Sequence, residues 1–218
     1  MRSPRPVRPP GRAKRQPTRE PAGAPPTTDD LSDQQVARRQ RVLNAAIDLA
    51  SEGGYDAVQM RDVATRADVA LGTVYRYFSS KDHLLAAAWS AWVRPQEANF
   101  AKSPPQGSTM AERALDVLRR VNRGIERRPK LMQALIAAMV STDAHAQSEV
   151  GAVRHTLDNL LVDALNELPA EEERRVGMVL GHVWYSCLVQ WVNGRFEMDD
   201  VYSSLENACH VVLDWHDR

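Results

Sequence analysis

The chain has 218 residues, and its 28 basic and 28 acidic side chains give a formal net charge of +0 at pH 7. This balance excludes a polycation, so any contact with nucleic acid must come from a local patch of charge. A chain of this length buries roughly 70% of its unfolded surface, which suffices for one or two compact units. No apolar run approaches the roughly 20 residues that a membrane-spanning helix needs, so we expect no membrane partner.

The first 30 residues form a basic, proline-rich segment. They hold eight of the 13 prolines, together with seven arginine or lysine side chains and three acidic ones. Such a segment cannot bury enough apolar surface to offset the entropy lost on ordering, so residues 1–30 are predicted to be a disordered tail. Two interpretations stay open: a solvated tail, or a basic arm that adds phosphate contacts or reaches a minor groove.

Residues 33–52 are predicted to form helix 1. Apolar side chains recur there at helical spacing, and Gly53 and Gly54 supply a stop signal. Three arginines cluster near the start of this helix, at Arg38, Arg39 and Arg41. They form a solvated helix face or, as the family resemblance given below implies, lie beside a DNA backbone.

Residues 60–78 predict two short helices separated by a three-residue turn at 68–70, which is the arrangement of a helix-turn-helix unit. Val74 and Phe78 are four residues apart and stack on one face of the second helix. Because a helix of about two turns is marginal alone, these two side chains must hold it against the rest of the domain. Its other faces carry groups suited to a DNA groove. Arg76 above all can form a bidentate hydrogen bond with guanine or phosphate.

The candidate DNA-binding residues lie on this unit and at the starts of the flanking helices. Met60 and Arg61 begin a helix whose free backbone N–H groups can meet a phosphate. Lys81 places a cation at the positive end of helix 4, which a bound phosphate would explain. The full set is Met60, Arg61, Leu71, Gly72, Thr73, Tyr75, Arg76, Tyr77 and Lys81.

Six further helices and no strands are predicted after residue 78. Helix 4 opens at Ser79 or Ser80 and is bent or ended by Pro95. The others cover about 109–127, 129–141, 144–168, 169–193 and 199 to near the C-terminus. The predicted fold is therefore all-α, with a three-helix helix-turn-helix DNA-binding domain at 31–80. Residues 81–218 form a C-terminal helical domain for ligand binding and dimerisation.

Predicted helices 8 and 9 are apolar on more than one face, so they need partners on two sides. Gly177 and Gly181 on helix 8 would let a neighbouring backbone approach closely. The same helix pair from a second subunit would complete a four-helix bundle. Such a homodimer would place two recognition helices roughly 34–36 Å apart, which implies a palindromic, double-stranded operator.

Large, adaptable apolar side chains on helices 4, 6 and 8 form a candidate effector site. Ordinary core packing is the alternative for each of them. Since helix 4 also joins this region to the DNA-binding domain, a bulky hydrophobic guest could change the distance between the DNA-binding domains of the two subunits. The set is Trp89, Trp92, Phe100, Met132, Leu135, Met139, Trp184, Leu188 and Trp191.

Residues 60–85, with the run Thr73-Val74-Tyr75-Arg76-Tyr77-Phe78 followed by Lys81, resemble the DNA-binding domain of the TetR family of repressors. The resemblance covers about residues 36–90. It implies phosphate contacts from Thr73, Tyr75, Tyr77 and Lys81. It implies base-edge contacts from Gly72 and Arg76, and dimerisation through helices 8 and 9.

The C-terminal region also resembles one subgroup, the KstR-type repressors of steroid catabolism. The matching features are the spacing of Trp184 and Trp191, Asn122 with residues 127–129, and the segment 143–150. This likeness implies a sterol-derived effector carried as a coenzyme A thioester. Its anionic part would meet Arg113, Arg119 or Arg123. A dimeric helix-turn-helix regulator without any effector is the alternative.

An enzyme is not expected from this sequence. Cys187 and Cys209 lie far apart in apolar helical sequence, as buried, reduced thiols of a cytoplasmic protein do. The six histidines show no metal-ligand spacing, and no glycine-rich phosphate loop or GxSxG turn occurs. We therefore predict no catalytic residues, metal or cofactor, and a cytoplasmic, nucleoid-associated regulator.

Overall fold

The computed structural model describes residues 31–214, and over that range the chain forms helices joined by short loops, without a strand. The helices are α1 Asp33–Ala57, α2 Met60–Arg66, α3 Leu71–Tyr77, α4 Lys81–Lys102, α5 Met110–Ile125, α6 Pro129–Met139, α7 Ala144–Val162, α8 Ala170–Val192 and α9 Met198–Leu213. The all-α prediction is confirmed. The predicted tail at 1–30 and the end of predicted helix 9 beyond residue 214 lie outside the described residues.

The first three helices pack on one another around a small apolar core. Leu43 of α1, Val63 of α2 and Val74 of α3 are fully buried there. Phe78, the residue that follows α3, is fully buried as well. Val74 and Phe78 therefore hold the short α3 from behind, as predicted.

Local sequence signals explain most of the helix boundaries. Gly54 breaks the regular path of α1 with a φ of 74°, a left-handed conformation that glycine adopts without strain. Ser80 caps α4, because its hydroxyl accepts a hydrogen bond from the His83 backbone N–H at 3.0 Å. Thr109 and Glu112 form the predicted capping box of α5.

α4 runs through Pro95, so of the two outcomes left open there an end is excluded. Two predicted helix ends are wrong. Helix 1 was predicted to end at residue 52, but α1 continues to Ala57. α7 ends at Val162, six residues before the predicted position, because residues 163–168 form turns with local backbone hydrogen bonds such as that from the Leu168 N–H to the Leu165 carbonyl. Both differences shorten or lengthen an element without changing the order of the helices.

The C-terminal helices pack around α4, α6 and α7. α4 lies against α1, α6 and α7, while α8 contacts α6, α7 and α9, and α5 contacts α9 and α7. α6 also packs along α1. The first three helices therefore contact the rest of the chain mainly where α1 packs against α4 and α6.

Between residues 31 and 214, no helix is both long and apolar enough to cross a membrane. The same part of the chain holds no group of three or more His, Cys, Asp or Glu side chains placed to bind a metal ion. Cys187 and Cys209 are free and buried. Burial raises the pKa of the Cys209 thiol to about 12, so this thiol stays protonated at neutral pH.

Candidate DNA-binding surface and effector cavity

The outer face of α3 presents several of the predicted DNA-binding side chains to solvent. Gly72 and Arg76 are exposed, and Tyr75 is 52% exposed. A side chain added at Gly72 would meet no atom within 4 Å, so the backbone there is open to close approach. Leu71 and Thr73 are half-buried on the same short helix. This arrangement leaves a small, uncovered surface with one basic group, two hydroxyls and a glycine.

The start of α2 lies beside this surface in sequence and offers two further candidates. Met60 is half-buried, and Arg61 is exposed. The first backbone N–H groups of α2 point away from the helix body, as those of every helix start do, and have no intrahelical partner. Both residues are therefore accessible where an anion can be bound.

The prediction that Tyr77 is displayed to DNA is wrong. Its side chain is only 2% exposed, because Tyr77 lies three residues after Val74 and shares the inner face of α3. The Tyr77 hydroxyl instead accepts a hydrogen bond from the Arg76 guanidinium at 3.0 Å. The Arg76 guanidinium carbon also lies 5.1 Å from the Tyr77 ring centroid. Tyr77 thus supports and orients Arg76 from within the domain.

Lys81 has partners inside the protein. Its amino group donates a hydrogen bond to the Tyr55 carbonyl oxygen at 3.2 Å and lies 3.6 Å from the Tyr55 ring centroid. The Tyr55 hydroxyl donates to Asp82 at 2.6 Å. Burial, followed by this bond to Asp82, raises the pKa of Tyr55 to about 12. The cation at the start of α4 is therefore explained without a phosphate, and Tyr55, 26 residues away, was not selected from the sequence.

The three arginines near the start of α1 do not form one surface. Arg39 pairs with Glu149 of α7 at 3.6 Å, and its guanidinium carbon lies 5.1 Å from the Phe78 ring centroid. Arg41 donates a hydrogen bond to the Ala67 carbonyl at 3.3 Å. Arg38 is half-buried. Arg39 therefore belongs neither to a DNA-facing cluster nor to a fully solvated face. It connects α1 to α7.

An apolar cavity of about 200 Å³ lies between α5, α7 and α8 and opens to solvent on one side. Valines and leucines of α5 and α7 make up half of its lining residues, and α8 contributes Met178 and Gly181 among others. Three polar side chains, Arg154, Asp158 and His182, are exposed at the cavity. Partial burial raises the pKa of the Asp158 carboxyl above its usual value.

Most of the predicted effector residues do not line this cavity. Met139 and Trp184 do. Trp92, Met132 and Leu135 surround a much smaller void of about 10 Å³ between α4, α5 and α6. The remaining four are core residues or pack against the core: Trp89, Phe100, Leu188 and Trp191.

The physical reason is that the largest side chains fill the space around them. The space left open is lined by smaller residues, including Val150, Val153 and Leu157 at helical spacing on α7. That stripe, with Gly181 opposite, is the sequence signal from which the cavity could have been predicted.

One buried polar pair joins α5 to α8. The Trp184 indole N–H donates to the Asn122 side-chain oxygen at 2.8 Å, and both side chains are buried. The amide nitrogen of Asn122 has no hydrogen-bond partner. Of the arginines expected near an anion, Arg113 pairs with Glu167, and Arg119 pairs with Glu206 at 3.1 Å. Arg154, in contrast, is exposed at the cavity.

α8 and α9 also expose apolar side chains on their outer faces. Met178 and Val179 of α8 are 42% and 41% exposed, and Val211 of α9 is 81% exposed. Met178 and Gly181 also line the cavity, whereas a side chain added at Gly177 would meet nothing within 4 Å inside this chain. These two helices therefore leave an apolar surface uncovered in the single subunit.

Comparisons with known proteins agree with this geometry. Residues 42–88 match the family described as bacterial regulatory proteins, tetR family, and residues 107–212 match the tetracyclin repressor-like C-terminal domain. The chain is 42% identical over 187 residues to the HTH-type transcriptional repressor KstR of Rhodococcus jostii (strain RHA1), which covers 85% of this chain and 87% of that protein. Relatives of this kind are named as transcriptional repressors and are regulators, not enzymes.

Solved structures share the fold. A TetR transcriptional regulator from Rhodococcus sp. RHA1 superposes with a TM-score of 0.75 at 34% identity, covering 83% of this chain and 97% of that one. FadR from Bacillus subtilis, solved with stearoyl-CoA, has a TM-score of 0.60 at 16% identity, covering 80% and 97%. The chain therefore belongs to the TetR family of DNA-binding transcriptional repressors and is a KstR-like member of it.

Proposed function

We propose that this protein is an effector-released repressor of genes for lipid or steroid catabolism. A homodimer binds a near-palindromic operator through α3 of each subunit. A bulky hydrophobic effector, such as a steroid acyl-CoA thioester, enters the cavity between α5, α7 and α8 and weakens that binding. The observation that carries this proposal is the apolar, solvent-open cavity in a helical domain that contacts the DNA-binding helices directly.

The exposed face of α3 supports the DNA-binding role. Arg76 reads a base edge, Gly72 allows close approach, and Tyr75 and Thr73 contact phosphates. Arg61 and the free N–H groups of α2 meet the neighbouring backbone. Tyr77 and Lys81, which have partners inside the protein, position this surface instead of touching DNA. We divide the chain into the DNA-binding residues 31–80 and the effector and dimer residues 81–218.

The uncovered apolar face of α8 and α9 supports the homodimer. Val179 and Val211 would be removed from water by the same surface of a second subunit. A four-helix bundle formed in this way sets the separation of the two α3 helices and so selects the operator spacing. Because operators lie on the chromosome, we place the protein in the cytoplasm with the nucleoid.

The shape of the cavity supports an effector with an apolar body and a polar end. The apolar wall would take the acyl or steroid part, and Arg154 at the open edge would meet an anionic group of the carrier. The neighbour from B. subtilis was solved with stearoyl-CoA, which favours a thioester as the effector class. The relative from R. jostii is a KstR repressor, the type whose likeness points to a steroid. At about 200 Å³ the cavity lies below the roughly 300–1,000 Å³ of typical ligand sites, so binding must enlarge it.

The test begins with the full-length protein and sheared genomic DNA. Footprinting of the selected fragments gives the operator, and fluorescence anisotropy then measures the Kd with and without each compound. We expect one palindromic site per dimer, and a loss of operator affinity with a steroid-carboxylate CoA thioester or stearoyl-CoA but not with free coenzyme A. Operator binding that none of these thioesters alters would favour a regulator without an effector. Absence of sequence-selective binding would overturn the proposal.

A further inference from the structure

The first turn of α7 touches the turn that follows the recognition helix α3. The Ser79 hydroxyl lies 3.1 Å from Nδ1 of His83 and 3.4 Å from Nδ1 of His145, and it donates to the Asp143 carboxylate at 3.4 Å. The rings of His83 and His145 are stacked, with centroids 5.3 Å apart and an angle of 23° between their planes. The Ser79 hydroxyl, in the turn after α3, therefore meets one side chain from the start of α4 and two from the start of α7.

A second bridge crosses the same gap one turn further along α7. Glu149 pairs with Arg39 of α1 at 3.6 Å, and both side chains are largely shielded from solvent. The Arg39 guanidinium carbon lies 5.1 Å from the Phe78 ring centroid, while the His83 ring meets that ring edge-on at 5.4 Å. Both bridges thus converge on Phe78, the buried residue that pins α3. We call this set of contacts the α7 junction, formed by Arg39, Phe78, Ser79, His83, Asp143, His145 and Glu149.

The same helix forms a wall of the cavity. Val150 follows Glu149 directly, and Val153 and Arg154 line the cavity one turn later. With a rise of 1.5 Å per residue, Val153 lies only about 12 Å along the axis from His145. A guest that pushes α7 aside to enlarge the cavity must therefore move both bridges of the junction.

The hydrogen bonding of His83 shows that the junction is held by geometry and not by a charge on this ring. Burial, followed by the nearby His145, lowers the pKa of His83 to about 4, so the ring is neutral at pH 7. Its Nδ1 accepts a hydrogen bond from the Ser79 backbone N–H at 3.1 Å, which places the ring proton on Nε2. A small displacement of the helix is enough to break such an arrangement, because hydrogen bonds weaken steeply with angle.

We infer that the α7 junction is the route by which an effector in the cavity weakens DNA binding. Displacement of α7 separates Asp143 and His145 from Ser79, and Glu149 from Arg39, and so loosens the support of Phe78 under α3. This inference rests on the proposed function and adds the route of regulation. Ser79 and Glu149 are positioning residues, since they act on α3 through Phe78 and line neither the cavity nor the exposed face of α3.

The test compares Ser79→Ala, Glu149→Gln and their double variant with wild type. Asp116→Asn on α5 is the matched control, because its pair with Arg120 has a similar separation of 3.4 Å and similar exposure but no contact with the DNA-binding helices. For each protein, anisotropy gives the operator Kd with and without saturating thioester. Calorimetry gives the thioester Kd, and thermal melting confirms folding.

We expect the double variant to keep its affinity for the thioester within about threefold. Its effector response, the ratio of operator Kd with and without thioester, should fall by about 2- to 30-fold, the range that coupling residues show. The Asp116→Asn control should keep the wild-type ratio. A double variant that binds the thioester and is released from the operator like wild type would overturn the inference.

Failure of the effector class is distinguishable from failure of the junction. If neither stearoyl-CoA nor the steroid thioester releases the wild-type protein, the proposed effector is wrong. Amide hydrogen exchange measured with and without operator then tests whether the junction couples α7 to DNA binding. Because coupling is reciprocal, operator binding should slow exchange at residues 144–150 in wild type, and the double variant should lose this protection. Exchange in α7 that operator binding leaves unchanged in wild type would overturn the junction.

Discussion

The Lys81 ammonium of α4 lies 3.6 Å from the ring centroid of Tyr55 at the end of α1 and donates a hydrogen bond to its carbonyl oxygen. Together with the bond from the Tyr55 hydroxyl to Asp82, this contact fastens the start of α4 to α1. A cation at the positive end of a helix, unfavourable by itself, is thereby stabilised inside the protein. The position of α4 relative to α3 depends on this contact.

Lys81→Ala should therefore act on stability. Loss of a partly shielded cation–π contact costs about 0.5–1 kcal/mol, which lowers the melting temperature by a few degrees. The slope of log K for the operator against log salt should stay as in wild type, because the amino group is engaged with Tyr55. A slope flatter by about one unit would instead show that Lys81 neutralises a phosphate.

The buried pair of Trp184 and Asn122 should show strong coupling. Trp184→Phe leaves both polar groups of Asn122 without partners in the core, at a cost of about 1–3 kcal/mol beyond the change in packing. Asn122→Leu removes those groups, so the double variant should be less destabilised than the sum of the two single variants. Urea unfolding of all four proteins measures this difference, and strictly additive effects would show that the bond is weak.

His83 should make stability depend on pH. The unfolded chain binds a proton at this residue below pH about 6.5, whereas the folded protein does so only near pH 4. Stability from this group is therefore complete above pH 6.5 and is lost as the pH falls towards 4, by about 2 kcal/mol at pH 5. Denaturant unfolding between pH 7 and 5 measures the loss, and His83→Gln should remove it. An identical pH profile in the variant would assign the loss elsewhere.

Gly181→Leu should fill the cavity. A side chain at this position meets no atom within 4 Å, and the residue lines the cavity wall. We expect thioester affinity to fall at least about tenfold while the protein stays folded, since leucine also favours the helix by up to about 1 kcal/mol. Gly151→Leu on the exposed side of α7 is the control, because it makes the same change away from the cavity. Equal thioester affinity in both variants would place the effector elsewhere.

Features governed by neighbouring residues were predictable from the sequence. The pairing of Val74 with Phe78, the cap at Ser80 and the capping box at Thr109 depend on spacings of three or four residues, and the structure has each of them. The order of the helices follows from the same signals.

Features that depend on distant partners were not predictable. Arg39 and Lys81 looked like surface cations, yet Glu149 and Tyr55 hold them, 110 and 26 residues away along the chain. The hydroxyl of Tyr77 suggested an exposed side chain. Tyr77 is buried because it lies three residues after Val74, on the inner face of α3. The cavity was not predicted because the prediction relied on the largest apolar side chains, most of which fill the core. The cavity is lined largely by valines and leucines.

The central claim is that the exposed face of α3 reads DNA, and Arg76→Ala tests it most directly. On the footprinted operator, with Arg127→Ala in the loop between α5 and α6 as an exposed-arginine control, anisotropy should show that Arg76→Ala weakens binding by about 1–3 kcal/mol and relaxes one base preference. Arg127→Ala should bind as wild type does. Unchanged affinity and base preference in the Arg76→Ala protein would contradict the account.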